Sequence, residues 1–499
     1  MTPIIAAIEA LPVLLLMNIA TRRGSCSRSP TLMRIFRHAL VPGAAPGIVI
    51  DLFLCFAALV LAASSLTHRY ATIHTVDVPE LPLILVGATI FSIVMALMYA
   101  IVGLYRPKPI SAVSAAARTV FALIVGSYLT SLSLRTVADR GYIEQLLPAA
   151  ITYLVVGLVF VRAGMVIMRR VTPLPRVLIV GTGPEALALA QDLKSAHRNG
   201  REVVGLYPAA VEEDSDGAGQ NGLRIFGRHQ SISDLVSRYD VQEIIVAVRE
   251  QRGGGVPMDE LLACRIRGIP VKDLAGHTES ARSEVPIDSL KGSWLVYGHG
   301  FVQGQWRRML KRAFDIVSSA LLLILLSPLM LLTAIAIKVD SRGPVLYRQE
   351  RVGLRGRSFM CIKFRSMRVD AEGDGVARWA SKNDPRITRI GTFLRKSRID
   401  ELPQLWSVFT GEMSLVGPRP ERPAFVEELK EQIPFYEIRH TVKPGITGWA
   451  QVRYHYGASM DDAKRKHQFD LYYVKNNSLM LDLLVLVETV SVIVFREGQ

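Results

Sequence analysis

The chain has 499 residues, half of them hydrophobic and 21% charged, with 59 Lys and Arg against 44 Asp and Glu for a net charge of +15. Such a length suggests about three domains, and the composition excludes a disordered chain and argues against a purely soluble one. The cationic excess points to nucleic acid, phosphorylated ligands or an anionic membrane face.

Residues 1–46 are a basic extension without an assigned structure. Within it, 3–20 is an apolar stretch interrupted by Glu9 and Pro12, no small-residue cleavage site follows, and Met33 offers an alternative start. Four apolar runs come next: Ile48–Leu66 with the single charge Asp51, Leu83–Leu104, Thr119–Leu134, and Leu146–Val161 with its extension to Met168. A spanning helix needs roughly 20 apolar residues, so residues 47–170 are expected to form a bundle of four transmembrane helices. Arg22, Arg23, Arg28, Arg34 and Arg37 precede the first run, Arg106, Lys108 and Arg118 separate the second from the third, and Arg169, Arg170 and Arg176 follow the fourth. By the positive-inside rule both ends of the bundle, and all that follows, face the cytoplasm.

From 174 to 290 the pattern changes to strands alternating with helices: 176–180, 203–207, 241–248 and 269–273 read as strands, 186–193 as a helix, and the Gly/Asp-rich 213–222 and 252–255 as surface loops. That pattern predicts a doubly wound parallel sheet, a Rossmann-like α/β domain. The turn Gly181-Thr-Gly183-Pro-Glu-Ala186 could hold a phosphate on its amides. Its third small position is Ala, and Tyr207-Pro208 stands where an acidic residue would close the second strand. A structural or regulatory domain is therefore favoured over a working dinucleotide site. The four cysteines (Cys26, Cys55, Cys264, Cys361) lie far apart with no Cys-x-x-Cys, which supports neither a disulfide framework nor a zinc ribbon and fits a reduced compartment.

Residues 313–337 form a fifth apolar run with Asp315 as its only charge, Arg307, Arg308, Lys311 and Arg312 before it and Lys338 and Arg342 after it. Positive charge on both flanks, with Ser327-Pro328 near the middle, predicts a re-entrant helix that enters, kinks and returns to the cytoplasmic face. A fifth span with a tolerated proline is the alternative. Between 342 and 368 stand eight Lys and Arg residues against Glu350 alone, a surface for headgroups and phosphates. Lys363 and Arg365 alternate with Ile362 and Phe364 as on a strand with one polar face, which favours those two for the site. Asp400 and Glu401 stand just before a helix that Pro403 starts, with Arg395, Lys396 and Arg398 ahead of them. They could simply cap that helix. Adjacent carboxylates among arginines also suit metal-assisted attack on a pyrophosphate, one carboxylate as ligand of Mg²⁺ and one as nucleophile.

Six motifs in order, Tyr347-Arg-Gln-Glu-Arg-Val-Gly353, Lys363-Phe-Arg365-Ser-Met367, Asp384-Pro-Arg386-Ile-Thr388, Asp400-Glu-Leu-Pro-Gln404, Leu415-Val-Gly-Pro-Arg-Pro420 and Lys443-Pro-Gly-Ile-Thr-Gly-Trp-Ala-Gln-Val452, resemble the bacterial sugar transferase domain. These are the monotopic phosphoglycosyl transferases, or polyprenyl-phosphate hexose-1-phosphate transferases. The resemblance covers 308–499, and the four helices and the α/β domain ahead of it match the long form of the family. It implies transfer of a hexose-1-phosphate, glucose or galactose, from a UDP-sugar to undecaprenyl phosphate on the cytoplasmic face of the bacterial inner membrane. UMP would leave, and exopolysaccharide, capsule or O-antigen synthesis would begin. Asp400 would be the nucleophile, ionised and carrying a phosphosugar-aspartyl intermediate, Glu401 the Mg²⁺ ligand, and Ser327-Pro328 the re-entrant kink. Lys363, Arg365, Asp384, Arg395, Gln404 and Arg419 would bind substrate. The family's Ser-Leu before the carboxylate pair is Arg398-Ile399 here.

Two other readings compete with this one. A membrane-anchored nucleotide-sugar dehydratase or epimerase needs Tyr-x-x-x-Lys, and none of the 15 tyrosines has a lysine four residues on. A non-catalytic scaffold for polysaccharide assembly does not account for the Asp-Glu pair. Nucleic acid is not an expected partner, because no basic region carries interleaved stacking aromatics. The sugar, the polymer, the ligand of the α/β domain and the oligomeric state, a homodimer included, stay open. The run 479–495, with Asp482 and Glu488 inside it, is expected to pack on the catalytic domain or lie on the membrane.

Overall fold

A computed structural model describes residues 44–70, 80–105, 112–135, 140–171, 173–195, 201–209, 217–218, 222–248, 256–287, 300–301, 303–369, 371, 384–454, 457 and 459–495. The extension 1–43 and the loop stretches 213–216 and 252–255 lie outside them. Contacts divide the chain into two compact units, one holding 46–96 and 123–281, the other 97–122 and 282–499.

The four apolar runs are helices: α1 (Ala44–Tyr70), α2 (Leu81–Ile101), α3 (Ala112–Leu134) and α4 (Arg140–Val171). Each is long and apolar enough to cross a membrane. Asp51, the one charge in the first run, is buried on α1 and pairs with Arg162 of α4 at 2.9 Å, which is how a carboxylate survives in such a segment. Nearby, Gly157 leaves room for Leu54, whose Cδ2 lies 3.2 Å from where a Cβ would stand, so α1 and α4 approach closely.

The α/β part holds β1 (Arg176–Val180), α5 (Pro184–Ser195), β2 (Glu202–Tyr207), β3 (Gly217–Ala218), β4 (Arg224–Ile225), α6 (Ile232–Tyr239), β5 (Glu243–Val246), α7 (Met258–Ile266), β6 (Val271–Asp273) and α8 (Leu274–Arg282). The sheet order is β3-β4-β2-β1-β5-β6, parallel throughout except for the β3–β4 edge. Alternate side chains of one buried strand serve opposite faces. Val177 and Ile179 pack with Ala186, Leu189 and Ala190 of α5, while Leu178 and Val180 pack with Ile232 and Leu235 of α6. Part of the expected loop 213–222 is thus a short edge strand, Gly217–Ala218, paired with Arg224–Ile225.

The fifth apolar run belongs to α9 (Gln305–Asp340), which continues through Pro328 without interruption, Ser327 Oγ donating to the Ile324 carbonyl at 2.8 Å. It is longer than 313–337 because its polar first turns dock on the globule that follows. Arg312 donates to the carbonyls of Val408 and Phe409, and Asp315 accepts from Ser414 Oγ and the Leu415 amide. That globule contains the hairpin β7 (Leu346–Val352) and β8 (Ser358–Phe364), α10 (Arg389–Lys396), a 3₁₀ turn (Ile399–Glu401), α11 (Gln404–Thr410), and β9 (Ser414–Val416) paired in parallel with β10 (Gly445–Thr447). It is completed by α12 (Pro423–Gln432), a 3₁₀ turn (Tyr436–Thr441), α13 (Trp449–Arg453), α14 (Met460–Asn476) and α15 (Leu479–Phe495). Val408, Met413, Leu415, Trp449, Leu471, Tyr473 and Leu481 share its core. Asp482 and Glu488 of α15 point inward, to Lys311 at 2.6 Å and Arg453 at 3.1 Å, so that α15 packs on the globule.

Candidate active site

Thr388 Oγ1 caps α10 by accepting from the Gly391 amide at 2.9 Å, and Gly391 lies against the Ser366 carbonyl where no Cβ fits. The helix is thereby seated on the exit of β8. Arg398, in the left-handed region at φ 60, then turns the chain into the 3₁₀ turn Ile399–Glu401. A non-glycine residue there is uncommon, and the reversal buries both carboxylates, Asp400 at 7% exposure and Glu401 at 6%.

The two carboxylates have different surroundings. Asp400 lies on the wall of a cavity of about 470 Å³. Glu401 Oε1 is ringed by Arg419 Nη2 at 2.7 Å, Lys363 Nζ at 3.3 Å and Arg398 Nη1 at 3.5 Å. Burial works against the Glu401 charge, but Arg419, Lys363 and Arg398 hold its carboxyl well below the usual range. Burial, reinforced by the Glu401 charge, pushes Asp400 above its ordinary value, against the pull of Lys363, Arg419 and Arg395. Asp400 is thus harder to ionise than its cationic neighbourhood in the sequence suggests, because it is buried beside the charge of Glu401. Burial lowers Lys363, with Glu401 opposing it, and the Glu401 charge raises Arg419. Behind this cluster, Arg439 donates to the Arg419 carbonyl at 2.8 Å, to Asp470 at 2.8 Å and to the Tyr436 hydroxyl at 2.6 Å. Burial raises the Asp470 carboxyl to about 6 despite Arg439.

Of the residues singled out in the sequence, Asp400, Lys363, Arg395 and Arg419 meet at the cavity wall. Arg365 also borders it, yet its guanidinium donates to the carbonyls of Arg342 and Ser341 and to Ser341 Oγ. It therefore closes the C-terminus of α9, where free carbonyls favour a cation. Asp384 is not on the wall. It clamps Arg386 through Nε at 2.9 Å and Nη2 at 2.6 Å, and that hydrogen-bonded guanidinium holds its carboxyl down at about 2. The clamped Arg386 is what reaches the cavity. Gln404 is buried at the start of α11, away from the wall. Ser327 and Pro328 lie mid-helix in α9. Gly181 donates its amide to the Tyr207 carbonyl at 2.7 Å, and at φ 125 a Cβ there would sit 2.7 Å from the Ala247 carbonyl oxygen; Gly183 accepts from the Leu187 amide. Arg351, Arg422, Arg439 and Lys466 also line the cavity. Arg351 lies in the Tyr347–Gly353 motif, whereas Arg422, Arg439 and Lys466 sit outside the six motifs.

Mg²⁺ takes oxygen ligands and often needs only one or two carboxylates beside phosphate oxygens and water. Asp400 and Glu401 supply hard oxygens of that kind. No group of three or more His, Cys, Asp or Glu side chains that could hold a metal forms among the described residues. Those two carboxylates are the donors that an ion shared with a phosphorylated ligand would use here.

The family description "bacterial sugar transferase" matches residues 306–496. Three curated relatives extend the likeness. The UDP-N-acetylgalactosamine-undecaprenyl-phosphate N-acetylgalactosaminephosphotransferase of Aeromonas hydrophila is 42% identical over 52% of this chain and 60% of its own length. The undecaprenyl-phosphate glucose phosphotransferase of Komagataeibacter xylinus is 35% identical over 65% of this chain and 60% of its own. The UDP-galactose-lipid carrier transferase of Erwinia amylovora is 36% identical over 64% of this chain and 68% of its own. The match thus spans about 60% of the first two relatives, and the sugars in the three names differ.

Proposed function

Because this chain belongs to the bacterial sugar transferase family, we propose that it transfers a hexose-1-phosphate from a UDP-sugar to undecaprenyl phosphate, starting the assembly of an exopolysaccharide, capsule or O-antigen. The observation that carries this reading is the division of labour in the carboxylate pair: Asp400 faces the cavity, while Glu401 gathers Lys363, Arg398 and Arg419 beside it. A carboxylate oxygen of Asp400 attacks the sugar-bearing phosphorus, the bond to the bridging oxygen breaks, and UMP leaves with that electron pair. Undecaprenyl phosphate then attacks the same phosphorus through an oxygen, which forms the new diphosphate bond and returns Asp400 as a carboxylate. Two displacements replace one difficult encounter of polyanions. Lys363, Arg419, Arg395 and the clamped Arg386 offset the charge of the diphosphate, and their fixed positions lower the reorganisation the reaction needs. Mg²⁺, when held by Glu401 and the diphosphate, would supply further charge neutralisation.

In this reading α1 to α4 span the bacterial inner membrane with the catalytic globule on the cytoplasmic face, and α9 is re-entrant. Attachment of both halves of α9 to one short stretch supports the re-entrant path. Arg312 binds the carbonyls of 408 and 409, while Ile337 clusters with Leu394, Ile399 and Leu402. In a straight helix residues 312 and 337 would stand about 38 Å apart. The α/β domain is structural or regulatory in this scheme. A panel of UDP-glucose, UDP-galactose and UDP-N-acetylgalactosamine, labelled in the sugar, tests the function with detergent-solubilised protein. One of them should give labelled polyprenyl lipid and UMP, with a phosphosugar adduct on the peptide containing Asp400. Lipid labelling without that adduct, or with the adduct elsewhere, would overturn the role of Asp400; no labelling from any UDP-sugar would overturn the function.

A further inference from the structure

The α/β domain ends with α8, and residues 282–287 are built into the unit that follows. Ser283 turns the chain in the left-handed region at φ 55. Val285 and Ile287, 0% and 4% exposed, sit in the core that holds Trp449, Leu471 and Tyr473. The Val285 amide donates to the Gln468 carbonyl at 3.1 Å, the Ser283 carbonyl accepts from Trp449 Nε1 at 2.9 Å, and buried Glu284 pairs with Arg465 at 2.8 Å.

All these bonds land on α13 and α14, the helices that carry Gln451, Lys466 and Asp470 to the cavity wall. Trp449 is itself fixed, stacked on Tyr472 at 5.8 Å and lying 4.1 Å from the Arg453 guanidinium carbon. A five-residue helix such as α13 has no stability of its own, so its register depends on what grips Trp449. Residues 282–287 also lie upstream of the 306–496 family match.

We propose that residues 282–287 are a positioning strap for the transfer site, holding the α13–α14 wall in the geometry that binds the sugar nucleotide. The inference rests on the proposed function for the identity of that ligand and on the contacts above for the rest. None of the strap residues touches the reacting atoms; they act through Trp449 and Gln468.

The test uses the full-length chain in detergent or nanodiscs. Trp449→Phe keeps a smaller aromatic ring and removes the indole donor, and loss of that hydrogen bond alone corresponds to about a five-fold effect. KM for the UDP-sugar should rise by about that factor with kcat within about two-fold of wild type. Val285→Ala loosens the other anchor, and the double variant should raise KM by less than the product of the single effects, because both act through one element. Hydrogen exchange at 449–454 should quicken in each variant, a readout that needs no turnover. Unchanged KM and unchanged exchange in Trp449→Phe, with Val285→Ala lowering only the melting temperature, would reduce the strap to core filling. A wild type that releases no UMP would instead refute the proposed function, and the exchange result would still decide the strap.

Discussion

The turn after β1 and the turn before α11 are both tight reversals that lead into a helix, and in one dimension both read as ligand sites. Their polar groups are spent differently. At Gly181 the amide is bonded to the Tyr207 carbonyl and the missing Cβ makes room for the Ala247 carbonyl, so the glycine is explained by strand packing before any ligand is considered. At Asp400 and Glu401, Lys363 from β8 and Arg419 from the loop after β9 converge on Arg395 and Arg398, which come from the stretch that carries the two carboxylates. Long-range convergence of charge on a cavity, more than local backbone shape, separates the two.

Asp400→Asn is the strongest way to break that comparison. It keeps the shape and removes the anionic oxygen, so UMP release should drop by about a thousand-fold or more, with the melting temperature nearly unchanged and no covalent adduct in the mass spectrum. Glu401→Gln should cut turnover severely and also cost stability. It leaves Lys363, Arg398 and Arg419 without their shared anion, and because these cations keep 21%, 42% and 35% of their side-chain exposure the loss should be about 1–3 kcal/mol. Thermal melts and Mg²⁺ titrations of activity would show both effects, and a variant as stable as wild type would mean that the ring of cations is not held by Glu401.

A pH profile sharpens the electrostatics. Asp400 must be ionised to attack, and burial with the Glu401 charge raises its pKa, so kcat/KM should climb with pH through a limb that lies above the value of an ordinary aspartate. Lys363→Met removes a cation that favours the ionised form. The limb should therefore move to higher pH, and a shift to lower pH would contradict the assignment. The smallest effect on transfer is expected from Gly181→Ala. A side chain at φ 125 against the Ala247 carbonyl should destabilise the α/β domain by about 1–3 kcal/mol, visible by melting, while UMP release per folded molecule stays near wild type. A large loss of activity there would mean that the first turn carries function after all.

Much of this was legible in the sequence where the signal was local. Arg176–Val180 is a short apolar run between a proline and a glycine turn, and it is a strand with those bounds. Asp400 and Glu401 are neighbours among cations, and they are buried together at the cavity. What sequence did not reveal is who binds a main-chain group. Arg365 alternates correctly for the polar face of β8, but its acceptors are the carbonyls of Ser341 and Arg342, and a backbone acceptor leaves no mark on composition. The same reason hides the strap, since Ser283 and Val285 act through a carbonyl and an amide. Asp384 shows the converse: its motif was visible, but the side chain that reaches the cavity is Arg386, two residues on.

The inward pairing of α15 carries a consequence for how the molecule is made. Lys311, at the docked end of α9, finds its carboxylate partner in Asp482, 171 positions later, with the Tyr473 hydroxyl joining the same carboxylate at 2.6 Å. Until residue 482 has left the ribosome, a cation destined for burial beside the membrane helix has no counter-charge. This joint, between positions far apart in sequence, therefore cannot close before the last helix of the globule has been made.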